Sequence, residues 1–116
     1  MLLIVEQGER RRARSEDEGR VLYERMVRFT EDLKARGLLT ASDSLRSDAD
    51  GVRVRVRDGK RTLVDGPFSE SKEIVGGFFL LTCETREEAV AIASQCPAAE
   101  WATVEVRGFG PCFEGN

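Results

Sequence analysis

The sequence contains no histidine. The side chain whose charge ordinarily changes near neutral pH is therefore missing, and with it the commonest general base. Cysteine is sparse and scattered: Cys83, Cys96 and Cys112 form no CxxC pair. Without imidazole, a structural zinc site lacks its ligands, so no metal and no cofactor is expected. An odd, scattered set fits a reducing cytosol, where Cys83 and Cys96 serve as small core hydrophobes. Long apolar stretches are missing too. No run approaches the ~18 residues of a membrane span. The opening MLLIVEQGERRRAR places apolar residues before basic ones, the reverse of a secretory signal. The expected location is cytoplasmic. Lysine is scarce, three residues against fifteen arginines, so arginine is the default cation here. A net charge of −3 gives no electrostatic reason for a nucleic-acid or anionic-membrane partner.

What is present describes one domain spanning residues 1–116. A chain of this length buries roughly two thirds of its unfolded surface, enough for a core without staples. Leu2 to Glu6 is apolar at consecutive positions and reads as a strand covered on both faces. Gln7 to Arg14 reads as a charged surface loop, its Arg10-Arg11-Arg12-Arg14 cluster neutralised by Glu9, Glu16, Asp17 and Glu18. Ser15 to Glu18 fits a capping box. Leu22, Met26, Phe29 and Leu33 then recur at helical spacing, and Gly37 supplies the C-terminal cap. Leu38 to Leu45 reads as a short strand. A second capping box, Thr85 to Glu88, opens a helix that buries Ala89, Ile92, Ala93 and Cys96 before Pro97 stops it. Trp101 to Arg107 alternates as a final strand, followed by a Gly/Pro-punctuated tail from Gly108 to Asn116.

Between these lies the most informative part. Val52 to Arg57 alternates valine with arginine, Asp58-Gly59 follows, and Arg61 to Val64 resumes. Asp-Gly between two such runs predicts a hairpin, because a type I′ turn needs positive φ at both central residues. The arginine face invites a groove-binding reading. Local pairing with Asp48, Asp50 and Asp58 is the plainer one, given the overall acidity. Arg61 to Cys83 then crowds polar residues between two apolar runs: Asp65-Gly66-Pro67-Phe68, the connector Ser69 to Glu73, and a strand from Val75 to Cys83 containing Gly76-Gly77. Gly76-Gly77 permits a close approach of backbone or ligand.

Strand, helix, strand, hairpin, strand, helix, strand is the order of an α+β, ferredoxin-like sandwich. Two helices cover one sheet face. Leu2-Leu3-Ile4-Val5 and Phe78-Phe79-Leu80-Leu81 make the other face apolar as well. Leaving it wet would forgo on the order of 10 kcal/mol, comparable to a domain's whole stability. The simplest cover is a second copy, giving a homodimer through the sheet face.

Asp65-Gly66-Pro67-Phe68, Glu70, Lys72-Glu73 and Gly76-Gly77-Phe78 resemble the DGPF group of the YCII-related proteins. The resemblance also takes in Met1-Leu2-Leu3-Ile4, Gly37, Leu45, the arginine hairpin, Cys96-Pro97-Ala98 and Val104-Glu105-Val106-Arg107. It implies a dimeric α+β barrel. Relatives in the wider group have a proposed His–Asp pair in a cleft. One branch is linked to removal of chloride from a chlorinated hydroxyhydroquinone, and DGPF domains also occur joined to sigma-factor-like transcription proteins. This sequence has no histidine, and Cys96 stands where those relatives carry an acid before the proline. Both members of the pair are missing.

Two functions follow from these residues. The first is a dimeric small-molecule-binding or accessory protein, acting beside transcription machinery as the resemblance implies. The second is an enzyme on a small organic acid or aromatic at the dimer cleft. There Asp65 and Glu73 would be acid and base, if burial raised one of their pKa values. Candidate ligand contacts are Asp65, Phe68, Lys72, Glu73 and Arg107, the last able to grip a carboxylate bidentately. Each has a structural alternative. Asp65 can bind the amides of its own turn, Phe68 can plug a dimer core, and Lys72, Glu73 and Arg107 can form cross-subunit salt bridges. Cys112 has no basic neighbour in sequence to activate its thiol.

Overall fold

A computed structural model describes residues 1–115. Strand β1 (Leu2–Gln7) leads through a short helix α1 (Gly8–Ala13) into the long helix α2 (Glu16–Ala35). Strand β2 (Leu39–Ser44), a hairpin of β3 (Val52–Arg57) and β4 (Lys60–Asp65), and strand β5 (Glu73–Leu81) follow. Helix α3 (Arg86–Gln95) and strand β6 (Thr103–Val106) complete the chain. The four-stranded sheet has the order β2-β5-β1-β6, and every neighbouring pair is antiparallel. This α+β architecture is compatible with the ferredoxin-like sandwich expected. No helix of the described residues is long and apolar enough to cross a membrane.

The helices form where their caps place them. Ser15 Oγ accepts the Glu18 amide at 3.1 Å, and Thr85 Oγ1 accepts the Glu88 amide at 3.2 Å. The Glu88 carboxylate reaches back to the Glu84 amide, also at 3.2 Å. Gly37 ends α2 at φ +70. Its amide bonds the Lys34 carbonyl, and Leu38 bonds Leu33, the two contacts of a Schellman cap. Phe29 and Leu33 of α2, with Ile92, Ala93 and Cys96 from α3 and its end, pack on Leu2, Ile4 and Phe79 of the sheet. The Phe29 and Phe79 rings meet edge-on with centroids 5.4 Å apart.

Three features differ from the sequence reading. Residues 8–13 are helical, not a loop. Their arginines are also not a self-neutralised surface: Arg11 and Arg14 reach back to Glu6, and Arg12 reaches Asp48. The hairpin arginines do not pair as expected either. Arg53 bonds Glu70 at 2.9 Å, while Asp50 pairs with Arg46 and Asp48 with Arg12. Local sequence favours the nearest carboxylate, but strand geometry points the side chains elsewhere.

The hairpin turn is as the Asp-Gly signal predicts, with Asp58 at φ 53 and Gly59 at φ 76. The hairpin is not part of the main sheet. It projects, and it makes the molecule broad and thin, 47 × 42 × 19 Å. The radius of gyration is 16.1 Å, against about 13 Å for a compact chain of this length. On the main sheet, the face away from the helices carries Leu3, Val5, Val75, Phe78 and Leu80. None of them belongs to the core cluster, and all are partly or substantially exposed.

Candidate functional site

Between α2 and the β2–β5 side of the sheet lies a cavity of about 570 Å³, within the range of small-ligand sites. Its apolar wall includes Leu22 and Met26 of α2, Phe79 of β5, and Trp101. Its polar end is built from β1 and α1. Along β1 the inward positions are Leu2, Ile4 and Glu6, all buried, so the strand's own alternation carries a carboxylate inside. Arg14 Nη2 donates to Glu6 Oε1 at 2.9 Å, and Arg11 Nη1 stands 4.0 Å from Glu6 Oε2. A buried charge needs such partners.

Gly76 makes the approach possible. The register between β1 and β5 slips here: Ile4 faces Gly77 and Val5 faces Val75, leaving Gly76 as the bulged residue. A Cβ on Gly76 would lie 3.0 Å from Glu6 Oε2 and 3.1 Å from Arg11 Nη1. At Gly77 a Cβ would lie 3.0 Å from the Asp43 carbonyl. The paired glycines thus admit side chains over one and backbone over the other. Arg11 Nη2 donates to the Leu45 carbonyl at 2.5 Å. Arg11 Nη1 is buried and has no hydrogen-bond partner among the described residues. A donor in that condition is costly to leave unmade. It lines a cavity large enough to hold the missing acceptor.

The Asp65-Gly66-Pro67-Phe68 turn is a separate cluster. Asp48 Oδ2 accepts the Phe68 amide at 3.1 Å, and Asp48 also pairs with Arg12 at 3.2 Å. The carboxylate that secures the turn is therefore Asp48, not Asp65 as the sequence suggests. The Gly66 amide donates to the Gly51 carbonyl at 2.9 Å. A Cβ on Gly66 would fall 1.7 Å from the Asp48 carbonyl oxygen, so only glycine fits. Phe68 is buried, and the Arg53 guanidinium lies 3.9 Å from its ring centroid. Arg53 also donates to Glu70 and to Ser71 Oγ, both at 2.9 Å. Donors and acceptors here are matched between the turn and the residues that flank it.

A model of the YCII-related domain matches residues 2–109. The protein belongs to the YCII-related family. No curated protein matches the chain. In this YCII-related protein Cys96 is buried in the core, and desolvation pushes its thiol pKa up. It is a packed, protonated side chain and no substitute for an acid.

Of the residues singled out from sequence, Asp65 is exposed at the end of β4, and Phe68 is buried in its turn. Lys72 is exposed, its carbonyl accepting the Gly8 amide. Glu73 opens β5 opposite Gln7. Arg107 is exposed beyond β6 and donates to Glu105 at 3.0 Å. None of the five lines the cavity. Polar residues that do include Glu6, Arg11 and Arg14, which the sequence alone places at a strand end and in a solvated loop. The overlooked signal is Glu6 itself, a charge at an inward-facing position of an apolar strand.

Proposed function

We propose that this YCII-related protein binds a small organic anion in the cavity under α2, with Arg11 as its principal contact. The supporting observation is the buried Arg11 Nη1 beside a partly apolar space of about 570 Å³. Arg14 is committed to Glu6, and at this polar end Glu6, Arg11 and Arg14 leave one excess positive charge, while Glu31, Lys34 and Asp43 line the cavity elsewhere. An anionic ligand neutralises that excess. A carboxylate supplies in-plane acceptors that match the guanidinium edge. The wall formed by Leu22, Met26, Phe79 and Trp101 favours an apolar or aromatic body on that carboxylate. The reading is a binding role, in keeping with an accessory protein: both Glu6 oxygens face arginines and neither is turned to the open cavity as a free base would be.

The same proposal includes a two-fold dimer through the sheet. Leu3, Val5, Val75, Phe78 and Leu80 lie on one face outside the core. Covering what they still expose contributes on the order of 5 kcal/mol per subunit at about 25 cal/mol/Å². A closed two-fold contact between identical faces is the simplest arrangement that does so.

A thermal-shift screen of aromatic and aliphatic carboxylic acids, each beside its neutral amide, tests the ligand reading. Acids should raise the melting temperature, and their amides should not. Equal shifts for acid and amide, or none for either, would overturn it.

A further inference from the structure

Every residue of the hairpin strands β3 and β4 is exposed, its valines included. The register pairs Val54 with Leu63, places Val52 opposite Asp65, and places Val56 opposite Arg61. Directly opposed residues share a face, so Val52, Val54, Val56 and Leu63 form one stripe. They are 52%, 61%, 57% and 53% exposed. A two-stranded ribbon is marginal by itself in water, and neither strand is bonded to the main sheet. Its root is nonetheless fixed. Arg53 stacks on Phe68, whose amide donates to Asp48, itself paired with Arg12 of α1. Such an element is presented to something.

We propose that the β3–β4 arm is an intermolecular clasp, its valine face lying on the body of a second copy of this chain. Charge and area both point to that occupant. Residues 52–65 carry Arg53, Arg55, Arg57, Lys60 and Arg61 against Asp58 and Asp65, a net charge of +3 in a chain of net −3. The rest of the molecule therefore carries −6. Arg53, Arg55, Arg57 and Lys60 stand on the face opposite the valine stripe, with only Arg61 and Asp65 beside it. The arm's charge therefore steers it toward another copy's body and away from another copy's arm without lying in the contact. The valine stripe offers on the order of 300 Å² of apolar surface, whereas a stable interface takes roughly 800 Å² from each partner. The arm is thus too small to hold a dimer alone. It is the right size to extend the sheet-face contact, whose apolar centre is flanked by Asp43 opposite Phe78 and Glu105 opposite Leu3. The clasp rests on the dimer reading above, and it adds a second, charge-steered contact to it.

Sedimentation of the full-length chain over a concentration series tests the clasp. Three proteins are compared: the wild type, the triple variant Val54→Ser/Val56→Ser/Leu63→Ser, and Leu80→Lys on the sheet face. With the clasp, the triple variant dimerises at least ~30-fold more weakly, as expected for three apolar side chains withdrawn from an interface. Raising salt from about 0.1 to 0.5 M weakens the wild-type dimer through loss of arm attraction. Amide exchange in residues 52–65 of the wild type then slows on dimerisation, a readout that does not depend on a variant folding.

A triple variant dimerising within about threefold of wild type, with arm exchange unchanged by concentration, overturns the clasp. Leu80→Lys reports separately. If it alone abolishes the dimer, the sheet-face reading stands while the clasp falls; a monomeric wild type removes both. Arm-dependent binding of duplex DNA with no effect on dimerisation also overturns the clasp, in favour of nucleic acid as the occupant.

Discussion

Two clusters of arginine and carboxylate sit close together in this protein, and they have opposite characters. At the hairpin root, Arg12, Asp48, Arg53 and Glu70 pair with one another and with the Phe68 amide. At the end of the cavity, Glu6, Arg11 and Arg14 are built from the same residue types, yet one guanidinium nitrogen of Arg11 is buried without a hydrogen-bond acceptor among the described residues. The first cluster closes on itself and positions a turn. The second opens on a space. Composition cannot distinguish them; a count of satisfied donors can.

The comparison breaks most visibly at the turn. Gly66→Ala drives a methyl group into the Asp48 carbonyl, a backbone atom unable to rotate aside. The expected loss is on the order of 3 kcal/mol or more in denaturant unfolding. A loss below about 1 kcal/mol would show that the turn has slack. Next, Asp48→Ala leaves the Phe68 amide and Arg12 without their acceptor. About 2 kcal/mol of stability should be lost, with ligand affinity at the cavity unchanged.

Arg11→Met should do the reverse. It removes the bond to the Leu45 carbonyl and one of the two cations beside buried Glu6, so about 1–2 kcal/mol of stability should be lost. Affinity for a carboxylate should fall roughly 10- to 100-fold, the worth of a charge-assisted contact. If Asp48→Ala and Arg11→Met had matching effects on both stability and binding, the division between the two clusters would fail.

The smallest effect belongs to a pair outside both. Arg25 donates to Glu100 at 2.6 Å and lies over the Trp101 ring at 5.3 Å. The hydrogen bond and charge of Arg25 hold the Glu100 carboxyl below its usual value. A depressed carboxyl pKa stabilises the fold above the unfolded-state value, and that contribution is lost as pH falls through the folded-state one. Glu100→Gln should therefore lower the melting temperature slightly at neutral pH, have no effect below the folded-state carboxyl pKa and so flatten the acid limb, with the difference shrinking in high salt.

How much of this was legible beforehand follows from the range over which each signal acts. The helix caps, the Gly37 terminus and the Asp58-Gly59 turn are local, and each formed where its few residues said it would. The apolar back of the sheet followed from Leu3, Val5 and Phe78 falling out of step with the helix-facing residues. The cavity did not, because it depends on register. Glu6 becomes a site residue only when the bulge at Gly76 opens room beside it, and Arg11 only when residues 8–13 coil and turn it inward. A run of arginines among acids reads as solvated until the strand before it is seen to end in a buried carboxylate. The DGPF turn misled in the opposite sense. Its residues crowd together in sequence, but Asp48 supplies the carboxylate from about twenty residues away.

The most direct test of the account is calorimetric titration of one aromatic carboxylate into wild type and Arg11→Met, with Asp48→Ala as the control. The account predicts saturable binding at one site per chain in the wild type and in Asp48→Ala, and at least a tenfold loss in Arg11→Met. Equal affinity in the wild type and Arg11→Met would contradict it.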